Sequence, residues 1–406
     1  MTAALVVART VRGVEDLVAA EVRRRGLGRV ERIGHREVWF RCADPGPGVL
    51  ALRTADDVFL VAAEVVGVGR AKASLRLLAE AVASVPLPEL VALRELCRGG
   101  GGAWTGVDVS ASFLGRRNYS RYDVEDAVGV PLAAALGVPY RSRRGGAVPP
   151  AGGLSWRVTV ADDRALVALR VADRPLHRRD YRVASRPGSL HPPLAAAMLD
   201  QAGVFAGAVV LDPFCGTGTI PIEAGLGSPV VHRVRIVGSD RDPAALASAV
   251  TNARNAALTP TATRWGDHRP RMYGNTVTAP RLKTSGARNH PRPPTTAHPE
   301  APPITWTTAD AGHLPVGDGT IDLVVTNPPW ARQVPPAGAL AHSPARFWHE
   351  LRRVLRPTGR ALLLLPDPDH HLTAAARAGL TTTHRRPVSL SGLHPEVVEL
   401  VPRRTP

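Results

Sequence analysis

Cysteine and lysine are both scarce in this 406-residue chain, and long apolar runs are missing. The three cysteines, Cys42, Cys97 and Cys215, stand far apart. They form no C-x-x-C pair and have no neighbouring histidine pair to complete a tetrahedral site, so no metal is expected and the thiols read as buried. No stretch approaches the roughly 18 to 20 uninterrupted apolar residues needed to cross a bilayer. The opening MTAALVVARTVRG has too short an apolar run for a secretion signal. A cytoplasmic protein with no membrane contact is expected, with a monomer as the default.

Lysine occurs only as Lys72 and Lys283. The chain is nonetheless strongly basic, with 51 Lys and Arg against 35 Asp and Glu and a net charge of +16. Arginine therefore carries nearly all the positive charge. Alanine, glycine and proline are abundant too, a bias that a GC-rich coding sequence alone produces, so the position of the charge says more than its sum. From Arg98 to Arg186 there are 15 arginines and eight acidic residues. Basic charge is concentrated in the middle third, a profile that fits a polyphosphate partner.

The length favours two or three domains, and 44% hydrophobic residues can fill their cores. Residues 1–85 read as a small α+β unit of ferredoxin-like kind: a strand over Ala4–Ala8, a helix carrying Val14, Leu17, Val18 and Val22, a strand pair at Val30–Ile33 and Glu37–Arg41, a strand at Val58–Val66, and a helix through Leu75, Leu78 and Val82. Residues 86–173 read as a second unit. It has helices at Leu87–Cys97 and Val124–Leu136, an alternating strand through Val107, Val109, Ala111 and Phe113, and a strand pair at Trp156–Val160 and Ala165–Val171. Its arginines gather in loops, and Arg116, Arg117, Arg141, Arg143 and Arg144 are the candidate RNA contacts.

Residues 174–406 change character. Val209–Asp212, Ile236–Asp240, Ile321–Thr326 and Ala361–Leu365 are short apolar runs of the kind that form buried parallel strands, with helical segments between them. This predicts an α/β domain with a doubly wound, Rossmann-like sheet. The interval 265–303, rich in Pro, Arg, Thr and His and without apolar period, reads as a disordered insertion.

Four signals in this last part carry chemistry. VVLDPFCGTGTIPIEAG, from Val209 to Gly225, runs a strand into a glycine turn and a helix. Gly216 and Gly218 allow backbone to approach a ligand where a Cβ would collide. Asp212 at that turn would repel a pyrophosphate but suits S-adenosylmethionine, which carries a sulfonium and an ammonium and no phosphate. Phe214, Thr217 and Thr219 complete the turn's candidate cofactor contacts. Asp240 ends the next apolar run, 28 residues after Asp212, placed to accept the hydroxyls of a ribose. Asp310, followed by Ala311 after a strand at Ile304–Thr307, is the candidate partner of an adenine amine.

The fourth signal is Asn327-Pro328-Pro329-Trp330, closing the run DLVVT. An exocyclic amine conjugated to a ring is a poor nucleophile because its lone pair is delocalised. If the Asn327 side-chain carbonyl and the Pro328 backbone carbonyl accept its protons, nitrogen can rehybridise toward a methyl group. The prolines stiffen that backbone, and Trp330 offers a face for stacking worth roughly 1–3 kcal/mol. Asn327 also borders the cofactor. No strong general base is needed, because the sulfonium methyl is already activated.

With these residues in place the chain resembles the THUMP-containing class I RNA methyltransferases over nearly its whole length. LDPFCGTGTIPIEA and TNPPW are similar to the family's cofactor and catalytic signatures, and RPLHRRDYRVASRPGSLHPPLAAAML, from Arg174 to Leu199, to its segment leading into the catalytic domain. ARTVRGVEDLVAAEV resembles the family's opening, before a THUMP module over 86–173. The resemblance implies S-adenosylmethionine as cofactor and methylation of guanine N2 in RNA, with a tRNA acceptor-stem guanine favoured over ribosomal RNA. One departure stands out: relatives often have Tyr then Gly after the two prolines, where this chain has Trp330 and Ala331. Stacking survives that change, whereas a hydroxyl contact would not. Adenine-N6 and glutamine-N5 methyltransferases use the same arrangement, and the basic front half argues for RNA against both. An RNA-binding assembly factor without catalysis is the non-enzymatic alternative, opposed by the intact set of Asp212, Gly216, Gly218, Asp240 and Asn327.

Overall fold

The computed structural model describes residues 3–149, 151–227, 234–258, 260–261, 304–329, 338–390 and 392–403. The expected insertion over 265–303 and the stacking residue Trp330 lie outside these. The chain divides into two units, Met1–Arg178 and Arg179–Pro406.

The first unit is built on seven strands and four helices. In chain order they are β1 (Ala4–Arg9), α1 (Glu15–Arg24), β2 (Arg29–Gly34), β3 (Glu37–Cys42), β4 (Asp57–Val66), α2 (Arg76–Ala83), α3 (Leu87–Arg98), β5 (Val107–Phe113), α4 (Arg121–Leu136), β6 (Leu154–Ala161) and β7 (Arg164–Arg170). Strand alternation sends Val6, Ala8, Val38, Phe40, Val58 and Leu60 into a core with Val18 and Val22 of α1. A second core joins Val109, Trp156, Val158 and Val167 to Leu78, Val124 and Val128.

The expected boundary at 85/86 does not interrupt the sheet, whose order is β2-β3-β1-β4-β7-β6-β5. Strand β4 is long enough to serve both halves. Its residues 57–60 pair with β1 and 59–66 with β7, across a bulge between Val61 and Ala63. Helix α3 serves both cores as well, with Val91 in one and Cys97 in the other. Helix α4 starts on a capping box: Ser120 Oγ accepts from Asp123 N, and the Asp123 carboxylate accepts from Ser120 N.

The second unit contains α5 (Pro192–Ala202), β8 (Val209–Asp212), α6 (Thr219–Gly227), β9 (Arg235–Asp240), α7 (Pro243–Asn255), β10 (Pro260–Thr261), β11 (Ile304–Thr308), β12 (Ile321–Thr326), α8 (Ala339–His342), α9 (Pro344–Val354), β13 (Leu355–Leu365), α10 (Pro368–Arg377), β14 (Leu380–Pro387) and β15 (Glu396–Pro402). Its eight-stranded sheet runs β10-β11-β9-β8-β12-β13-β15-β14, with every pairing parallel except those of β15. This is the α/β architecture expected from the apolar runs. Strands β14 and β15 were not expected; most of β14 is exposed, so it carries little apolar signal. The chain steps outward from β8 through β9 to β11, then returns to place β12 on the other side of β8. The topological switch point therefore falls between β8 and β12, where open sheets of this kind bind ligands. No helix of the described residues is long and apolar enough to cross a membrane.

Candidate functional site

Four neighbouring parallel strands, β11, β9, β8 and β12, present their carboxyl ends at one sheet edge. The polar residues that end or follow them are Asp310, Asp240, Asp212 and Asn327, side by side in that order. Register explains the juxtaposition: Asp212 is level with Gly238, Thr308 with Asp240, and Val324 with Leu211. Buried Asp322 helps hold β12 to β8, its carboxylate accepting from Val209 N at 2.9 Å and pairing with Arg356 at 2.6 Å.

The glycine turn follows from β8. Gly216 adopts φ +52°, and a Cβ there would have no atom within 4 Å: it would project into open space, a cradle that only glycine leaves clear. Gly218 is glycine for another reason. Its φ is +84°, and a Cβ would come within 2.8 Å of the Trp306 ring and 3.0 Å of Ala249, so the tight fit lies behind the turn and Gly218 does not line the cavity. The Asp240 carboxylate braces the turn, accepting from Gly216 N and from Asp242 N, each at 2.9 Å.

Asp212 is buried, accepting from Thr326 Oγ1 at 2.6 Å and Phe214 N at 3.1 Å. Burial, with the nearby Asp240 charge adding to it, pushes its carboxyl up to about 7 against the pull of those two hydrogen bonds. The bond from Thr326 matters geometrically, because Thr326 directly precedes Asn327. It ties the strand bearing the glycine turn to the strand bearing Asn-Pro-Pro. Burial also raises the Cys215 thiol well above its ordinary range, and all three cysteines are buried and free.

The strap formed by residues 179–190 lies within the 174–199 segment that resembles the family's lead into the catalytic domain, but its contacts with the site were not expected from the sequence. Buried Glu223 accepts from Tyr181 Oη at 2.9 Å and Arg179 Nε at 3.0 Å. Asn252, also buried, accepts from Ala184 N and donates to Ala184 O and Thr217 O, at 2.9, 2.9 and 3.0 Å. Arg186 pairs with Asp242 at 2.6 Å. Asn327 Nδ2 donates to Gly188 O at 3.2 Å.

These elements enclose a cavity of about 830 Å³. Its lining includes Asp212, Phe214, Gly216, Thr217, Thr219, Asp240, Asp310, Ala311 and Asn327, all of the expected cofactor contacts except Gly218. Pro328, Pro329, Pro366, Leu390 and Leu393 line it too. The two leucines flank a tight turn between β14 and β15, where each backbone N–H donates to the other's carbonyl at 2.9 Å. Nothing in their local sequence marked them. Among the described residues no group of His, Cys, Asp and Glu could hold a metal.

The expected RNA contacts lie in the first unit and differ in how they are engaged. Arg117 braces two loops, donating to the carbonyls of Val68, Gly69, Leu114 and Asp162. Arg143 pairs with buried Asp108, Arg144 with Asp126, and Arg141 donates to Thr105 O. Arg116 is exposed and has no ion-pair partner among the described residues. The loop after β4 meets its own, with Asn118 N donating to Arg70 O at 2.9 Å and Tyr119 Oη to Gly69 O at 3.1 Å. That contact brings exposed Arg70 near Arg116, which sequence spacing did not reveal.

A family model described as an RMKL-like methyltransferase domain, UPF0020, matches residues 179–267 and 297–396. A tRNA (guanine(6)-N2)-methyltransferase of Thermus thermophilus is 30% identical over 393 residues, covering 96% of each chain. The enzyme of the same description from Archaeoglobus fulgidus is 28% identical over 260 residues, 58% of this chain and 55% of that one. Among solved structures, TrmN from Thermus thermophilus superposes with a TM-score of 0.68 at 26% identity, covering 98% of this chain and 99% of its own. SMU.472, a putative methyltransferase complexed with SAH, shares the fold over the full length of both chains, with a TM-score of 0.67 at 15% identity.

Proposed function

This chain belongs to the THUMP-containing guanine-N2 methyltransferases, and from that premise we propose that it methylates the exocyclic N2 amine of a guanine in tRNA, at position 6 in the acceptor stem. The relatives from Thermus and Archaeoglobus carry that activity in their names. The observation that supports the chemistry best is the single cavity. It gathers the glycine turn, Asp240 and Asp310 with Asn327 and Pro328, and Thr326 bonded to Asp212 fixes the distance between the two strands involved.

Bound S-adenosylmethionine supplies an electrophilic methyl group on a sulfonium. The open space beside Gly216 fits a ligand's approach, and the acids around it fit a cationic ligand with a ribose. Asp240 uses one bond from each oxygen on backbone N–H groups, and a carboxylate has about four acceptor positions, so capacity remains for ribose hydroxyls. Asp212 lies beside the turn to offset the positive charge, and Asp310 to accept from the adenine amine.

In the same cavity, Asn327 Oδ1 and the Pro328 carbonyl accept the two protons of guanine N2. Holding both protons draws the nitrogen lone pair out of conjugation and aims it toward the methyl carbon; as the N–C bond forms and the S–C bond breaks, the nitrogen becomes strongly acidic and gives up one of its two protons to solvent. Pro366, Leu390 and Leu393 give the base an apolar wall, and Trp330 a stacking face. An apolar wall lowers the local dielectric around the base, which strengthens the two hydrogen bonds. The first unit, with its exposed arginines, is the RNA-binding part.

Incubating the purified protein with a tRNA transcript bearing guanine at position 6 and methyl-labelled cofactor tests this. Nucleoside mass spectrometry should find N2-methylguanosine, mapped to that position. N6-methyladenosine, or label entering only ribosomal RNA, would contradict the assignment.

A further inference from the structure

An asparagine amide has two chemically opposite ends of nearly equal size. In a site that must bind an amine, only one orientation works: the oxygen accepts N–H, while the NH₂ would meet the amine donor to donor. Nothing in Asn327 itself chooses between them. The strap does. Asn327 Nδ2 lies 3.2 Å from Gly188 O, and a backbone carbonyl has no proton to give, so the NH₂ must face the strap. The oxygen is thereby left for the cavity that both residues line.

Gly188 is itself held from both sides. It sits at φ +80°, a left-handed conformation suited to glycine. Ser189 Oγ bonds Arg186 N at 3.1 Å and Thr217 Oγ1 at 3.2 Å, Arg186 pairs with Asp242, and Ala184 is locked on Asn252. The bonds that leave the strap here end on Thr217 of the glycine turn, on Asp242 at the N-cap of α7 and on Asn252 within α7.

We propose that the Gly188 backbone carbonyl is a positioning group: it fixes the flip of the Asn327 amide, so the site accepts an acceptor that donates hydrogen bonds and rejects one that presents a carbonyl oxygen or bare ring nitrogen. This rests on the reading of Asn327 as the residue that binds the amine. It also extends that reading, since the selection for an amine resides in the strap as much as in the Asn-Pro-Pro motif.

The variant Asn327→Asp separates the two. A carboxylate accepts amine protons at least as well as an amide, so if Gly188 were a bystander the variant would work normally. If Gly188 sets the flip, the carboxylate introduced by the substitution has no donor to offer and places negative charge against the carbonyl. Protonation restores a donor, an O–H toward Gly188 O. Among the described residues, the other charged or titratable groups lining the cavity are Arg186, Asp212, Cys215, Asp240, Arg241, Asp242 and Asp310. All are present in the wild type, so dividing the variant's profile by the wild-type profile at saturating cofactor removes the part of their titration that the substitution leaves unchanged.

Single-turnover methylation of the tRNA transcript is measured from about pH 5.5 to about 8.5, with cofactor affinity by calorimetry at each end. Expected is a loss on the order of 100-fold at the alkaline end, recovering as pH falls, with cofactor affinity held within about twofold of wild type. A variant rate equal to wild type at the alkaline end, a flat ratio across the range, or a loss matched by weaker cofactor binding would overturn the proposal. A wild type that puts no methyl on guanine would instead overturn the reading of the site on which it rests.

Discussion

Asn327 and Asp240 sit in one cavity but are assigned to different halves of the reaction, so their removal should separate rate from affinity. Asn327→Ala should lower the methylation rate on the order of 100-fold or more while leaving cofactor affinity near normal. Asp240→Ala should weaken cofactor binding about 10- to 100-fold, through lost ribose contacts and a glycine turn no longer braced at Gly216 N. Calorimetry and single-turnover kinetics on both variants check the split. Asp212 makes a pH prediction. Its carboxyl is pushed up to about 7 by burial, so near neutrality it must lose a proton before it can offset a cation. Cofactor affinity should therefore be greatest above that pH and fall as pH drops through it, approaching about tenfold per unit below. Asp212→Asn should bind weakly with no such slope; a wild-type affinity independent of pH from about 6 to about 8 would contradict it.

Among the elements, the parallel strands were legible from their own residues, whereas the strap showed only as a resemblance and its contacts were not legible, for a physical reason. Val209–Asp212 and Ile321–Thr326 are buried on both faces, so each is an apolar run with a polar residue at its end, visible without any partner. The strap has no period. Its bonds run from Ala184 to Asn252 and from Gly188 to Asn327, between residues far apart in sequence, and only the fold brings them together. Strand β4 was read as belonging to the leading unit, but nothing local announces that its second half pairs with β7. The glycine turn was half legible: Gly216 faces the cavity as expected, whereas Gly218 is dictated by Trp306 behind it. The strap's dependence on one side chain gives a prediction at this scale. Asn252→Ala would leave Ala184 N and O and Thr217 O without their buried partner, costing about 1–3 kcal/mol per unmet group. Thermal melting should show the lower stability, and methylation should slow more than cofactor affinity falls; unchanged melting would mean water or a relaxed strap replaces the side chain.

For the whole molecule, a strongly basic chain must divide its arginines between holding itself together and holding RNA. Much of that charge is already committed, Arg117 to four carbonyls and Arg143 and Arg144 to carboxylates. The number of arginines therefore overstates what is available to phosphate, and Arg116 is the expected contact that remains open. Arg116→Ala should weaken tRNA binding and reduce the slope of log affinity against log salt by about one, while Arg117→Ala should act first on stability. Filter binding across a salt series, paired with thermal melting, distinguishes the two. The central claim concerns a single nitrogen, and one measurement addresses it most directly. A tRNA transcript with inosine in place of guanine at position 6 keeps the base's shape and ring but lacks the N2 amine. The wild-type enzyme should methylate the guanine transcript at that position and leave the inosine transcript unlabelled there; methyl transfer to inosine would show that the acceptor is some other atom.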